Sequence, residues 1–270
     1  IYVAMRAILT ELNVDYVIPP PTSAKTLSLG VKYSPEGICI PFKITLGNFI
    51  EALDLGADAV LQAGGMGACR LGRYAMSQEQ VLRQLGYKFE MIILGVSDNK
   101  IIGLGQMIKK ISGGAPWSKI ISAINFGLFK QEIVDQIEKK VQKMRPLEAE
   151  RCSVKRLYRQ AIKAVDEAGN KESVKRVKQD YLEKLDSLPR SPRADPLLVG
   201  VTGEFYVVLD PFSSMDVEIE LGKLGVEVRR HTYVSSWTEF RSFLNPFRKD
   251  PKEAIHRAAK RKDGLLRRIR

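Results

Sequence analysis

Two cysteines carry the chemistry that this chain can offer. Cys39 stands in GICIPFK and Cys69 in GGMGACRLGRY, thirty residues apart. Lys43 follows the first, and Arg70 and Arg73 follow the second. Neighbouring cations and a helix start favour thiolate over thiol. Thiolates held together ligate soft metals or attack electrophiles, while neutral thiols simply pack in a core. Residue types alone leave all three open. A nucleophile needs a base, and the two histidines, His231 and His256, lie in segments that match no Cys–His dyad. Zinc calls for paired, closely spaced cysteines, which are absent. GGMGAC lacks both the GK[ST] of a Walker loop and the GxGxxG spacing. Its Gly64, Gly65 and Gly67 serve either a turn or a close approach of backbone to a cluster or anion. Cys152, in the helical stretch EAERCSVKRLYRQ, is read as incidental, and His231, in an expected strand, as a core or edge residue.

Positioning two thiols demands an architecture. A helix is expected over about residues 1–13, then a short strand at VDYVIPP. A helix follows over PFKITLGNFIEALDLG, with Pro41 in its first turn and Gly56 just past its end, and then a strand at ADAVLQAGG. Ser77 and Gln80 suggest a capping box opening EQVLRQLGY, before a strand at KFEMIILGV and a helix near IIGLGQMIKKISG. From Pro116 to Pro189 helical periodicity runs without a β-rich segment. Strand, helix and strand return at 197–202, SMDVEIELGKLG and VEVRRHTYV. The expected fold is α/β, with two Rossmann-like parallel-sheet domains, the second incomplete, separated by a helical insertion: residues 1–115, 191–270 and 116–190 respectively. Ligands of parallel sheets bind beyond the carboxyl edge of the strands. Cys39 precedes the helix after the first expected strand and Cys69 follows the second, so both are expected at one edge, facing across a single cleft.

Composition narrows the classes. The longest apolar run falls short of the roughly 18 residues a membrane helix needs, and no signal peptide opens the chain. A cytoplasmic protein, without membrane attachment, is expected. Three cysteines far apart make no disulfide framework. The net charge of +12 invites nucleic acid, but acids alternate with bases through most of the chain, the pattern of a solvated helical face, so nucleic acid is disfavoured. The chain starts at Ile1 inside a helical pattern and ends at LLRRIR, and is expected to be a portion of something longer, cut at both ends.

The segment from VIPPPTSAKTL through GICIPFK and GGMGACRLGRY to VLRQLGY resembles an activase-related branch of the 2-hydroxyacyl-CoA dehydratase and benzoyl-CoA reductase superfamily, found in anaerobes. VGVTGEFYVVLDPFSSMDVEIELGKLGVEV is similar to the start of that branch's second α/β domain, so the resemblance covers nearly the whole chain. It implies a [4Fe-4S] cluster clasped between two α/β domains, with Cys39 and Cys69 as metal ligands and a third cysteine expected beyond Arg270. Gly67 and Ala68 would offer backbone N–H groups to the cluster sulfurs, and Arg70 a positive charge. It further implies electron delivery by an ATP-hydrolysing activase, a dimer, and an acyl-CoA substrate whose thioester carbonyl is reduced to a ketyl radical so that an unreactive β-proton can leave. ATP-coupled reduction of a small molecule is the neighbouring enzyme class. A non-catalytic electron-transfer or regulatory α/β protein, or a binding module whose cysteines only pack, are the readings from other classes.

Overall fold

The computed structural model describes residues 2–64, 69–94, 108–192 and 195–238. It is a mixed α/β chain with two parallel two-stranded sheets. Tyr2–Glu11 (α1) ends at Asn13, whose positive φ of 55° turns the chain into an extended segment. Ala24–Tyr33 (α2) and Ile40–Asp54 (α3) follow, then Ala59–Ala63 (β1), a 3-10 turn over Arg70–Arg73, Tyr74–Gln84 (α4) and Glu90–Leu94 (β2). The helical stretch contains Trp117–Met144 (α5), Ser153–Glu167 (α6) and Lys171–Asp186 (α7). Leu197–Val201 (β3), Phe205–Leu209 (α8), Val217–Lys223 (α9), Val226–Arg230 (β4) and Val234–Thr238 (α10) complete the described chain.

Three sequence expectations need correction. VDYVIPP forms no strand: Pro19, Pro20 and Pro21 have no N–H for a ladder, and Tyr16, Val17 and Ile18 are exposed in extended chain. A helix unforeseen from the sequence, α2, stands where a strand-to-helix step was expected; Ser23 and Thr26 cap it reciprocally. The helix expected to open at Ser77 begins at Tyr74, because the 3-10 turn runs straight into it and places Ser77 inside the first turns. Of the helix expected near IIGLGQMIKKISG, residues 101–107 lie outside the described residues and 108–111 are helical.

α3 is buried on nearly all sides. Phe42, Leu46, Ile50 and Leu53 form one stripe that packs with Val60, Tyr74, Leu82 and Phe89 from β1, α4 and the approach to β2. Its other side lies against α2 at backbone distance. A Cβ on Gly30 would stand 1.7 Å from the Lys43 carbonyl oxygen, and one on Gly47 would stand 2.0 Å from that of Thr26. The buried Glu51 accepts a 2.7 Å hydrogen bond from the Thr26 hydroxyl and closes the same interface. Beyond α3, Gly56 at φ 94° ends the helix and turns the chain into β1, which pairs with β2 in register Val60↔Met91.

The second core is helical. α5, α6 and α7 bury Ile133, Ile137, Val141, Val154, Val165, Val174 and Leu185 together, and α1 joins them through Val3 and Ala7. β4 and α10 also pack on α5. No helix among the described residues is long and apolar enough to cross a membrane.

Gly30→Ala is expected to lower stability by about 3 kcal/mol, since backbone rather than a flexible side chain must yield. Gly37→Ala, at a position with open space around it, is expected to stay within about 0.5 kcal/mol of the parent. Urea unfolding of both variants measures the difference.

Candidate functional site: a two-thiol edge around Tyr74

Cys39 is the N-cap of α3 and Cys69 the N-cap of the 3-10 turn that leads into α4; neither side chain makes a capping hydrogen bond. Ile40 and Pro41 open α3, and the Phe42 N–H donates to the Cys39 carbonyl at 3.1 Å. The cap backbone is thus satisfied by main chain, which leaves the sulfur for other work. Cys39 is half-buried and Cys69 exposed.

Tyr74 joins the two segments. It stands at the first position of α4, five residues after Cys69, and is only 4% exposed. Its ring meets Phe42 edge-on, with centroids 5.1 Å apart at 84°. Its hydroxyl lies 2.5 Å from Cys39 Sγ. Burial raises the Tyr74 pKa above the ordinary value, and the hydrogen bond to Cys39 together with the charges of Cys39, Cys69 and Glu204 raises it further. Either group can be the donor, and when the sulfur is a thiolate only the O–H can donate. Glu204 stands between β3 and α8 and caps α8 by accepting from the Val207 N–H at 2.9 Å.

A second clamp lies one turn along α4. The buried Gln78 donates from Nε2 to the Phe42 carbonyl at 3.2 Å and to the Thr45 hydroxyl at 2.7 Å. The first turn of α4 is thereby fixed to the first turn of α3, which carries Cys39. Tyr74, Gln78 and Glu204 escape the sequence reading. Tyr74 and Gln78 share one helical face by their spacing, the signal that could have found them.

The remaining candidates stand as follows. Arg70 is exposed on the 3-10 turn beside Cys69. Lys43 donates to the Glu36 carbonyl at 3.2 Å, in the loop before Cys39. Gly67 and Ala68 lie outside the described residues, as does His256. Cys152 is exposed at the start of α6 with a left-handed φ of 69°, and its N–H donates to Glu148. His231 is exposed just past β4, where its N–H donates to the Val201 carbonyl at 3.0 Å and prolongs the ladder, so it is an edge residue and not core. No group of three or more His, Cys, Asp or Glu is placed to hold a metal among the described residues.

A second polar centre, where α5 meets β4 and α9, closes on itself. Arg230 pairs with Glu138, and its Nε faces Glu218 at 3.1 Å without the alignment of a hydrogen bond. Tyr158 donates to Glu138 at 2.7 Å and Gln142 to Glu218 at 2.8 Å. Burial, then Glu138, holds the Tyr158 pKa well above its ordinary value, and burial lowers that of Arg145, which donates to the Glu218 carbonyl. A cavity of about 100 Å³ lies among these groups. Arg230 faces the carboxylates of Glu138 and Glu218 there, and Arg145 the Glu218 backbone, so the network joins α5, α9 and β4.

No family model, no curated protein and no solved structure matches this chain.

Tyr87 supplies a measurable pH signature beside the site. Burial, followed by the 2.7 Å hydrogen bond to Asp54 and the charge of that carboxylate, pushes its pKa up to about 12. The folded value exceeds the ordinary value of about 10, so the folded chain keeps a proton that the unfolded chain releases. The stabilisation is complete below about pH 10 and is lost as pH rises through about 12. Ultraviolet titration should show Tyr87 ionising in the upper part of that window, and Tyr87→Phe should remove the step.

Proposed function

We propose that Cys39 and Cys69 are two thiolate ligands of a [4Fe-4S] cluster, in a protein of the 2-hydroxyacyl-CoA dehydratase type that takes low-potential electrons from an ATP-hydrolysing activase and uses them on an acyl-CoA-like substrate. The observation that carries this reading is that both cysteines cap helix starts without a side-chain capping bond, with Cys39 Sγ at the buried Tyr74 hydroxyl and Cys69 five residues before that tyrosine. Soft sulfur ligands suit iron–sulfur chemistry better than hard-cation chemistry. Two thiols fit part of such a ligand set, and the remaining ligands come from outside the described residues. When bound, the cluster supplies one-electron chemistry at low potential. The chain's own contribution is to anchor two sulfurs on helix starts, to bury one of them against Phe42 and Tyr74, and to set Arg70 beside the other. On this reading the two sheets are the cores of Rossmann-like domains, the partners are the activase and a second copy of the chain, and the compartment is the anaerobic cytoplasm.

The packing of Cys39 against the Phe42–Leu46 cluster favours the second reading, an α/β binding module whose cysteines only pack. One measurement separates the two. After anaerobic reconstitution with ferrous iron and sulfide, the parent, extended past Arg270 to include the third cysteine that the resemblance implies, should bind both, its Cys39→Ser/Cys69→Ser double variant should lose both, and Cys152→Ser should match the parent. A parent without iron, or a double variant that keeps it, overturns the cluster.

Arg70 allows a finer test. A fixed positive charge next to Cys69 favours the reduced, more negative state. Arg70→Gln is expected to make the potential more negative with iron content unchanged, by a small amount because solvent screens an exposed guanidinium. Anaerobic redox titration measures it; an unchanged or raised potential removes Arg70 from the redox account.

A further inference from the structure

We propose that Tyr74 is the positioning residue of the site: its O–H donates to Cys39 Sγ, fixes that sulfur at the edge it shares with Cys69, and sets the potential of whatever iron cluster the sulfur ligates. The inference rests on the cluster reading above and adds a determinant that neither the cysteine spacing nor the resemblance supplies.

Three observations converge on it. The hydroxyl sits 2.5 Å from Cys39 Sγ, and no other hydrogen bond to that sulfur is found among the described residues. The phenol is 4% exposed, so water does not compete for the hydrogen bond, and a low local dielectric strengthens it. The ring meets Phe42 edge-on, and the Gln78 clamp one turn further along α4 fixes the helix that carries it to α3. A donor fixed this firmly loses little entropy in making its bond.

The consequence follows from general iron–sulfur chemistry. A hydrogen bond to a ligating sulfur withdraws electron density and stabilises the reduced cluster, which raises its potential. Buried Tyr74 acts through a directed hydrogen bond, whereas exposed Arg70 acts through a screened charge, so the tyrosine is the stronger of the two determinants. Because Tyr74 also begins the helix that follows the Cys69 turn, its bond to Cys39 holds the two sulfur-bearing segments in one register.

The test compares the same extended parent chain with Tyr74→Phe and with a chain carrying 3-fluorotyrosine at position 74, each reconstituted anaerobically with iron and sulfide. Tyr74→Phe keeps the ring against Phe42, and thermal unfolding checks that the fold is retained. The expected result is a potential shifted downward in Tyr74→Phe and upward with 3-fluorotyrosine, whose hydroxyl is the better donor, at equal iron content. A purely structural tyrosine gives no such reversal of sign. Loss of iron in folded Tyr74→Phe also supports the positioning role. Equal iron and equal potential in all three chains overturn it while leaving the cluster intact, and a parent chain that binds no iron overturns the cluster reading itself. Should Tyr74→Phe fail to fold, the fluorinated chain alone decides: an unshifted potential with full iron content refutes the donor role.

Discussion

The backbone contact between α2 and α3 is the constraint on which the two-thiol edge depends. Helices usually meet through side chains at 8–10 Å between axes; here Gly30 and Gly47 remove the side chains at the crossing, and each backbone nearly touches a carbonyl of the other. Such an approach leaves little freedom to slide or rotate. α3 is then pinned along its length: Thr26 and Glu51 lock the crossing on one side, and the Phe42–Leu53 stripe fills the core on the other. Cys39 sits at the N-terminus of this fixed element, so its position follows from packing several turns away.

The Cys69 side of the edge is held differently. Cys69 is exposed and ends a glycine-rich stretch, with little packing of its own. Its location is inherited from α4, which begins five residues later and is fastened to α3 by Gln78 and Tyr74. Buried polar bonds of this kind make weak net contributions when satisfied, yet strongly disfavour every arrangement in which they are broken. They therefore specify one register of α4 on α3, and with it one placement of the Cys69 turn. The hydrophobic stripe supplies the attraction; the polar clamps select among the ways of satisfying it.

Much of this was legible in the sequence because the relevant signals are local. β1, β2 and β3 fall on short, mainly apolar runs and β4 on the valine alternation of VEVRR, and α3 starts and stops where Pro41 and Gly56 mark it. The misreadings have physical causes. VDYVIPP has the side chains of a strand but a backbone without donors at its end. α2 carries Thr26, Ser28 and Gly30 among its ten residues, all weak helix formers; its glycine is there for the contact with α3, a tertiary reason invisible to a local reading. At the site, the cysteines declared themselves by type. Tyr74 did not, because an aromatic residue near a core looks the same whether its hydroxyl is idle or aimed at a sulfur.

The Arg230–Glu138–Glu218 network shows the same logic at the other junction, where β4 and α9 meet α5. Arg230 is 7% exposed at its side chain, so its charge is expensive to bury without partners. The cost is offset when α5 presents Glu138, with which the guanidinium pairs directly, and α9 presents Glu218, whose carboxylate faces its Nε at 3.1 Å. Replacing such a network with apolar side chains often leaves stability unchanged or improved, so attraction alone does not explain it. Its effect is selective: a shift of β4 along α5 by one residue leaves at least one buried charge alone. Both halves of the chain thus combine apolar burial, which tolerates sliding, with a few buried polar groups that do not. At the two-thiol edge those polar groups include the hydroxyl that faces Cys39, so the device that fixes the fold there is also the one that addresses the sulfur.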